Sequence, residues 1–219
     1  MAHGKFITFE GGEGGGKSTQ ARLLAERLRA HGLAVVLTRE PGGAPGAEAI
    51  RKLLVEGDPD RWDATTEALL HYAARRAHLT QTVWPALKRG EWVVCDRFAD
   101  STMAYQGIAM GLGREAIEVL HALAVGDFIP DLTLVLDIPE DVGLARAGAR
   151  GGAEDRYERM GAAFHQTLRA AFRNIAAREP ERCVLIDAEA DIDAVAARGW
   201  ETVAAALGFF ASGDKNAVI

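Results

Sequence analysis

Eight residues near the beginning of the sequence have the spacing of a loop that wraps around phosphate groups. The segment Gly11-Gly12-Glu13-Gly14-Gly15-Gly16-Lys17-Ser18 fits the pattern G-x-x-x-x-G-K-[ST]. Glycines let backbone N–H groups turn toward phosphate oxygens, the lysine can reach the outer phosphates, and the serine hydroxyl can bind Mg²⁺. The pattern therefore predicts a site for the phosphates of a nucleotide and for Mg²⁺. The predicted contacts are Gly11, Gly12, Glu13, Gly14, Gly15, Gly16, Lys17, Ser18 and Thr19.

Glu13 is unexpected in such a loop, because a carboxylate repels a triphosphate. We expect its side chain to point away from the phosphates, toward a hydroxyl group, an arginine or a metal-bound water. None of the variable positions of the loop is basic. Positive charge for a transferred phosphoryl group must therefore come from elsewhere in the chain, and arginines are the natural source.

Two arginines stand where predicted strands end. Arg39 lies in the run TREPGG, and Arg97 follows an apolar run in the sequence DRF. Loops at the carboxyl ends of strands line the ligand crevice of an open α/β sheet, so both arginines can hold an anionic substrate. Asp96 has the Walker B position after an apolar run. We predict that it orients Mg²⁺ together with Ser18.

His71 and Arg75 are four residues apart on a predicted helix, so they share one face. A flat ring at the first position can stack on a base, while the guanidinium group donates to a base carbonyl. A solvated helix face is the alternative that the spacing alone leaves open.

A second glycine-rich segment carries arginines. Arg146 and Arg150 are four residues apart, glycines occupy positions 148, 151 and 152, and Arg156 follows closely. Such a segment is typical of a lid that is mobile when open and cationic when closed. We predict a lid at about residues 146–158. A solvated charged hairpin is the alternative.

Strand-like and helical segments alternate along the chain. Nearly continuous apolar runs such as Trp92-Val93-Val94-Cys95 are typical of strands buried on both faces of a parallel sheet. The predicted strands are residues 5–10, 34–39, 91–96, 132–137 and 183–187, and the predicted helices are residues 18–31, 48–55, 65–88, 114–125, 141–149, 159–178 and 192–207. The alternation predicts an α/β fold with a five-stranded parallel sheet flanked by helices. We expect one domain over residues 1–211 and a frayed tail at 212–219.

Composition narrows the class of protein. The 219 residues carry a formal net charge of -6, whereas proteins that bind nucleic acids usually carry a basic excess, so we expect no nucleic-acid partner. No apolar run reaches the length of about 18 residues that a membrane span needs, and no secretory signal is visible. Cys95 and Cys183 are far apart and lack metal-ligand spacing, which fits a reducing compartment. We expect a soluble cytoplasmic protein.

Several longer runs are more specific than the loop. The runs are FEGGEGGGKST, TREPGG, LLHYAAR, DRFADSTMAYQG and GDFIPDLTLVLD, followed by an R-x-x-x-R…D-R-x-E region, and they extend from residue 9 to about residue 158. Through these runs the sequence resembles the bacterial-type thymidylate kinases, which are P-loop nucleoside monophosphate kinases. The resemblance implies a P-loop NTPase fold, ATP with Mg²⁺ as phosphoryl donor, dTMP as acceptor, a role in dTTP biosynthesis, and a homodimer.

The resemblance also implies roles for residues around the acceptor. Arg39 and Arg97 would hold the dTMP phosphate, and Arg75 would bond the thymine carbonyl. Tyr105 would crowd the 2′ position of the sugar, and Glu13 would lie near its 3′-hydroxyl. The implied substrate-binding residues are Glu13, Arg39, His71, Arg75, Arg97, Ser101, Tyr105 and Gln106.

The chain departs from the family pattern at two positions. His71 stands where the family usually has a phenylalanine that stacks on thymine. An imidazole offers less area and charges near pH 6–7, so we expect it to affect acceptor affinity and its pH dependence. Gly148 stands where related sequences often add another lid arginine.

The implied reaction is in-line transfer of the ATP γ-phosphoryl group to a dTMP phosphate oxygen. This nucleophile is already an anion, so catalysis requires positioning and charge neutralisation rather than a general base. The implied catalytic residues are Lys17, Arg97, Arg146, Arg150 and Arg156. Two alternatives remain: a kinase for another monophosphate (dUMP, CMP or GMP), and a P-loop switch or partner-regulated ATPase. The sequence has neither the N-K-x-D motif of a GTPase nor the second loop lysine of a partitioning ATPase.

Overall fold

The computed structural model describes residues 4–149 and 156–208 of the chain. Its strands are β1 Phe6–Glu10, β2 Val35–Arg39, β3 Trp92–Asp96, β4 Leu132–Asp137 and β5 Cys183–Asp187. Its helices are α1 Lys17–Ala30, α2 Pro45–Val55, α3 Ala64–His78, α4 Trp84–Lys88, α5 Ala99–Thr102, α6 Arg114–Ala124, α7 Glu140–Gly148, α8 Ala162–Arg178 and α9 Ile192–Ala206. Within these ranges no helix combines the length and the apolar character of a membrane span. Arg150 and the predicted tail at 212–219 lie outside the described residues.

The strands form one parallel sheet in the order β2-β3-β1-β4-β5, which confirms the predicted α/β architecture. The central strand β1 is buried along its whole length. It pairs with β3 through Phe9 and Asp96, and β2 pairs with β3 through Arg39 and Asp96. Because the strands run parallel, the ends of β1, β2 and β3 meet at one edge, where the predicted site residues follow them.

Helices cover both faces of the sheet. Successive residues of a strand point to opposite faces. Ile7 and Phe9 of β1 therefore pack in one core cluster with α1 and α9. Phe6 packs on the other face, in a cluster that includes Tyr72 of α3 and Phe98 after β3. Burial on both faces explains why these strands read as continuous apolar runs.

The helix predicted at 65–88 is interrupted in the structure. A π-helical turn at Leu79–Val83 separates α3 from α4. Pro85 has no N–H group to donate to the preceding turn, so a regular α-helix cannot pass through it unchanged. The helix predicted at 159–178 begins at Ala162 instead.

A second π-helical segment, Met103–Ala109, follows the short helix α5. Sequence analysis did not predict it, because hydrophobic spacing does not distinguish a widened turn from an α-helix. The segment carries Tyr105 and Gln106, which are both buried. Widened turns of this kind occur frequently at functional sites.

Candidate active site

The glycine-rich loop connects β1 to α1 at the carboxyl edge of the sheet. Gly11, Gly14 and Gly16 have φ angles of 128°, 70° and 84°, which side chains rarely allow. A Cβ atom on Gly14 would collide with the backbone of Gly143 in α7. The N-terminus of α1, with its unpaired N–H groups, begins at Lys17. Loop and helix terminus together form an anion-binding arrangement.

Lys17 is buried, and its Nζ donates to the carbonyl oxygen of Gly12 at 2.5 Å. Burial and the positive charge of Arg97 lower the pKa of Lys17 to about 8, although Glu13 partly opposes the shift. The ammonium group is therefore held in the loop without a full counter-charge. A polyanion is the ligand that suits this group.

Ser18 and Asp96 form a pair that fits Mg²⁺. Ser18 Oγ donates a hydrogen bond to Asp96 Oδ2, which brings the start of α1 to the end of β3. Mg²⁺ prefers oxygen ligands and usually takes one or two protein groups together with substrate phosphates. Across 4–149 and 156–208, no group of three His, Cys, Asp or Glu side chains could hold a metal by itself. The hydroxyl and carboxylate thus suit an ion that phosphates also coordinate.

Glu13 points away from the glycine loop toward a hydroxyl and an arginine. Its Oε1 accepts hydrogen bonds from Arg97 Nη2 at 2.9 Å and from the Tyr105 hydroxyl at 2.6 Å. Burial alone would raise the pKa of Glu13, but Arg97 and Lys17 outweigh burial and lower the pKa to about 2. The carboxylate is therefore charged and tied to residues from another part of the site.

Arg97 occupies a constrained position directly after β3. It has a φ angle of 70°, which is uncommon for a residue with a side chain. Its Nη1 donates to the Gly11 carbonyl oxygen and to Ser101 Oγ, both at 3.1 Å. Backbone strain at such a position persists only where the surroundings hold it in place. The guanidinium group is thus fixed between the loop and α5.

Glu10, at the end of β1, was missed by the sequence analysis. Its carboxylate accepts hydrogen bonds from the backbone N–H of Phe98 at 2.7 Å and from Ser101 Oγ at 2.5 Å. Burial, together with the nearby charge of Asp100, raises the pKa of Glu10 to about 8. Glu10 therefore fixes the chain just after Arg97. A carboxylate at the end of a buried apolar strand was the available signal.

A cavity of about 570 Å³ opens beside the loop, a volume typical of small-molecule sites. Of the predicted site residues, those that line it are Glu13, Gly14, Gly16, Lys17, Ser18, Arg39, His71, Asp96, Arg97, Ser101, Tyr105 and Gln106. Glu40, Arg51 and Tyr157 line it as well and were not predicted. The cavity joins the phosphate-binding loop to most of the predicted acceptor residues.

Arg39 and Arg51 stand on the β2–α2 side of the cavity. Arg39 is half exposed, and its Nη2 lies 3.2 Å from Glu48 Oε2. Arg51 donates to the carbonyl oxygen of Pro41 at 2.7 Å. Arg51 could not be predicted as a site residue, because sequence spacing does not reveal which face of α2 meets the cavity.

Arg75 lies in the protein interior, 2% exposed. Its Nε donates to Glu40 Oε2 at 2.7 Å, and its Nη2 donates to the Phe98 carbonyl oxygen at 2.9 Å. Glu40 also bonds His78 Nδ1 at 2.9 Å, so a buried network orients the guanidinium group. Nη1 of Arg75 has no hydrogen-bond partner in the part of the chain that the structure describes.

Comparisons with known proteins agree on one family. A family model described as thymidylate kinase matches residues 9–198. A thymidylate kinase of Caulobacter vibrioides is 57% identical over 208 residues, which cover 95% of this chain and 100% of that relative. A thymidylate kinase of Ruegeria pomeroyi is 56% identical over 200 residues, covering 91% of this chain and 94% of the relative. The chain belongs to the thymidylate kinase family.

The fold agrees with this assignment. A crystal structure of thymidylate kinase from Ehrlichia chaffeensis superposes with a TM-score of 0.73 at 34% identity, covering 92% of this chain and 99% of that one. Thymidylate kinases are nucleoside monophosphate kinases, which transfer a phosphoryl group between nucleotides. Such a reaction needs sites for two nucleotides, which agrees with a phosphate-binding loop that borders a cavity for a second substrate.

His71, the residue that departs from the family pattern, stays neutral. Burial and the positive charges of Arg75 and Arg97 lower the pKa of His71 to about 3. The expectation that its imidazole charges near pH 6–7 is therefore wrong. Its Nε2 lies 3.1 Å from the Tyr157 hydroxyl, which also lines the cavity.

The predicted lid arginines do not converge on the loop. Arg146 of α7 donates to the carbonyl oxygens of Ala188 and Glu189, at 3.0 and 2.9 Å, in the turn after β5. Arg156 is fully buried and pairs with Glu67 at 2.8 Å. Neither residue lines the cavity, which corrects the expectation that both face the phosphates. The cause is pairing with residues that lie far away in the sequence, which spacing does not reveal. Arg150 lies outside the described residues.

Proposed function

We propose that this protein transfers the γ-phosphoryl group of ATP to dTMP, giving dTDP and ADP for dTTP synthesis. The observation that carries the proposal is the bond pair at Glu13. Its Oε1 accepts from both Arg97 and Tyr105, so the glycine loop is joined directly to the acceptor cavity. A donor site and an acceptor site that share one charged cluster suit transfer between two nucleotides.

The donor end comprises the glycine loop and the N-terminus of α1. Lys17 supplies a charge to the outer phosphates, and backbone N–H groups from Gly11 to Thr19 cradle the others. Ser18 and Asp96 would hold Mg²⁺, which would supply positive charge to neutralise and orient the phosphates. These assignments rest on the loop geometry and on the bond between Ser18 and Asp96.

The acceptor end extends from the loop to α3. Arg39 and Arg97 hold the dTMP phosphate in line with the donor, and Ser101 supports Arg97 at 3.1 Å. Arg75, which is buried and outside the cavity lining, offers the base carbonyl an Nη1 group that has no partner among the described residues. Tyr105 stands beside Glu13, where it excludes a 2′-hydroxyl, and Gln106 and His71 border the base. The phosphate is already anionic, so these residues position it and offset its charge.

Fewer of the predicted lid arginines are available to the phosphates than the sequence indicated. We keep Arg150 as the arginine that meets charge on the transferred phosphoryl group. We assign Arg146 to holding the turn after β5, because its guanidinium group donates to the carbonyl oxygens of Ala188 and Glu189. Arg156 is committed to Glu67 and to three backbone carbonyl oxygens, so we assign it a structural role.

The protein acts as a homodimer in the cytoplasm, with no nucleic-acid partner. Support for the dimer is an apolar surface on α3 and α6, where Leu69, Val119 and Leu123 are 52%, 63% and 83% exposed. An apolar surface of this kind usually marks a protein contact. Cys95 and Cys183 are both buried as free thiols, which fits a reducing compartment.

Product balance tests the function. The protein is mixed with ATP, Mg²⁺ and dTMP, and nucleotides are separated by ion-exchange chromatography over time. ADP and dTDP should appear in equal amounts, and ADP should be negligible when dTMP is left out. Release of ADP without dTDP would identify an ATPase instead, the alternative that the sequence left open.

A further inference from the structure

The side chain of Glu67 on α3 is completely buried and collects three hydrogen-bond donors. Its Oε1 accepts from Gln106 Nε2 at 2.8 Å and from the Tyr157 hydroxyl at 2.5 Å. Its Oε2 accepts from Arg156 Nη2 at 2.8 Å. A carboxylate paired with a guanidinium group accepts hydrogen bonds and donates none. Every polar group that hydrogen-bonds to Glu67 must therefore act as the donor.

This requirement fixes the side-chain amide of Gln106. An amide has one donating end and one accepting end, and the donating end faces Glu67. The opposite orientation would set the amide oxygen against a carboxylate oxygen. Gln106 Oε1 is consequently turned the other way, and it has no hydrogen-bond partner among the described residues. Gln106 lines the cavity, so this oxygen is placed to accept a hydrogen bond from a ligand bound there.

Arg75 supplies the complementary group. Its Nη1 is a buried donor that likewise lacks a partner in the described ranges, and Arg75 lies one turn from the cavity residue His71 on α3. Thymine and uracil carry an N3–H donor beside the O4 acceptor. Cytosine carries an N3 acceptor beside the N4 amino donor, which is the reverse pattern. A pocket with one fixed acceptor and one fixed donor distinguishes these bases.

We propose that Glu67 is a positioning residue that sets base specificity by holding Gln106 Oε1 toward the acceptor base. The pocket then accepts pyrimidines that have N3–H and rejects cytosine. This inference rests on the proposed function, because it requires a nucleoside monophosphate in the cavity. The Tyr157 hydroxyl donates its hydrogen bond to the same carboxylate, so the tyrosine oxygen accepts from His71 Nε2, 3.1 Å away.

The test compares dTMP with dCMP as acceptors for the wild type and for Glu67→Gln. The variant keeps the shape of the side chain but can either donate to Gln106 or accept from it, so both amide orientations become available. A site that hydrogen-bonds its substrate can reject a mismatched analogue by about 10⁴-fold, and we expect the wild type to prefer dTMP by about 10³-fold or more. In the variant the preference should fall at least about tenfold, through a higher KM for dTMP and little change in kcat.

If Glu67→Gln does not fold, a second variant and a substrate analogue test the same proposal. Gln106→Leu leaves the Glu67–Arg156 pair in place and should also lose the preference for dTMP. An analogue methylated at N3 should be a poor substrate for the wild type, and its disadvantage should shrink in both variants. Glu118→Gln, at an exposed carboxylate on α6, is the matched control and should behave as the wild type.

The outcomes separate the two proposals. If the wild type phosphorylates no nucleoside monophosphate, the proposed function fails. If it phosphorylates dTMP while folded Glu67→Gln and Gln106→Leu retain the full preference over dCMP, the function stands and the role of Glu67 is contradicted. Loss of kcat at unchanged preference would also contradict a positioning role in base recognition.

Discussion

Arg97 Nη2 lies 2.9 Å from Glu13 Oε1, so the arginine assigned to the acceptor phosphate is ion-paired with the glycine loop itself. The Tyr105 hydroxyl bonds the same oxygen at 2.6 Å. The pair explains how a loop that binds a triphosphate tolerates a carboxylate. It also holds Arg97 in place before any substrate arrives, which reduces the reorganisation that catalysis would otherwise require.

Replacement of Arg97 by alanine should abolish most turnover without unfolding the protein. Loss of an arginine that meets phosphoryl charge reduces kcat by about 10³-fold or more. Arg97→Lys keeps the charge but loses the two-pronged contact, so its activity should be intermediate. The measurement is steady-state kcat with ATP and dTMP, with melting temperature as the check on folding.

The matched control for Arg97 is Arg22→Ala. Arg22 is an exposed arginine of α1, and the side chains of its ion pair with Glu26 are 53% and 52% exposed. This variant should keep wild-type turnover. Near-normal activity of Arg97→Ala would overturn its assignment to the acceptor phosphate.

ATP binding should take up protons in mildly alkaline solution. The pKa of Lys17 is lowered to about 8, so its ammonium group loses its proton as the pH rises through this value. Phosphates favour the charged form, and ATP should therefore raise this pKa and draw a proton onto Lys17. Calorimetric titration at about pH 8.5 in two buffers of different ionisation enthalpy gives the number of protons.

Lys17→Arg provides the comparison, because its guanidinium group stays charged throughout this range. We expect smaller proton uptake in the variant than in the wild type. Equal uptake by the two proteins would show that Lys17 does not titrate as described.

The pH dependence of acceptor use should owe nothing to His71. Its pKa is held at about 3, so the imidazole stays neutral from about pH 5.5 to pH 8. The ratio of kcat/KM for dTMP between the wild type and His71→Phe should therefore be constant over this range, whatever its absolute value. Ionisation of the dTMP phosphate affects both proteins equally, so its effect cancels in this ratio. A ratio that changes steadily below pH 6.5 would show a charged imidazole.

A charge on the apolar surface of α6 should separate the proposed dimer. Leu123 is 83% exposed, so Leu123→Lys removes no buried contact of the single chain. Light scattering should give twice the chain mass of 23.5 kDa for the wild type and the single mass for the variant. Ile192→Lys, at another exposed apolar residue on α9, should stay dimeric. A wild-type protein of single mass would refute the dimer.

The fold and the loop could be predicted because their constraints are local. Gly11 to Ser18 are contiguous, and continuous apolar runs such as Leu132–Asp137 require burial on both faces. Strand ends then placed Arg39 and Arg97 at one edge, since the sheet is parallel.

The lid arginines and the base pocket depend on partners far apart in the chain. Glu67 meets Gln106 across 39 positions and Arg156 across 89, and no periodicity records such pairs. The low pKa of His71 could not be predicted either, because it depends on burial and on arginine charges that only the folded chain brings close to the imidazole. Sequence indicated which residues could do chemistry, but not which of them were already paired within the fold.

The most direct test of the account is a panel of kcat/KM values with ATP and Mg²⁺ for dTMP, dUMP, UMP, dCMP, dGMP and dAMP. The account predicts the highest value for dTMP, lower values for dUMP and UMP, and very low values for dCMP and the purine nucleotides. Preference for dCMP or a purine nucleotide would contradict the assignment of Arg75 and Gln106 to the base. ATP hydrolysis at one rate with every acceptor would contradict the kinase itself.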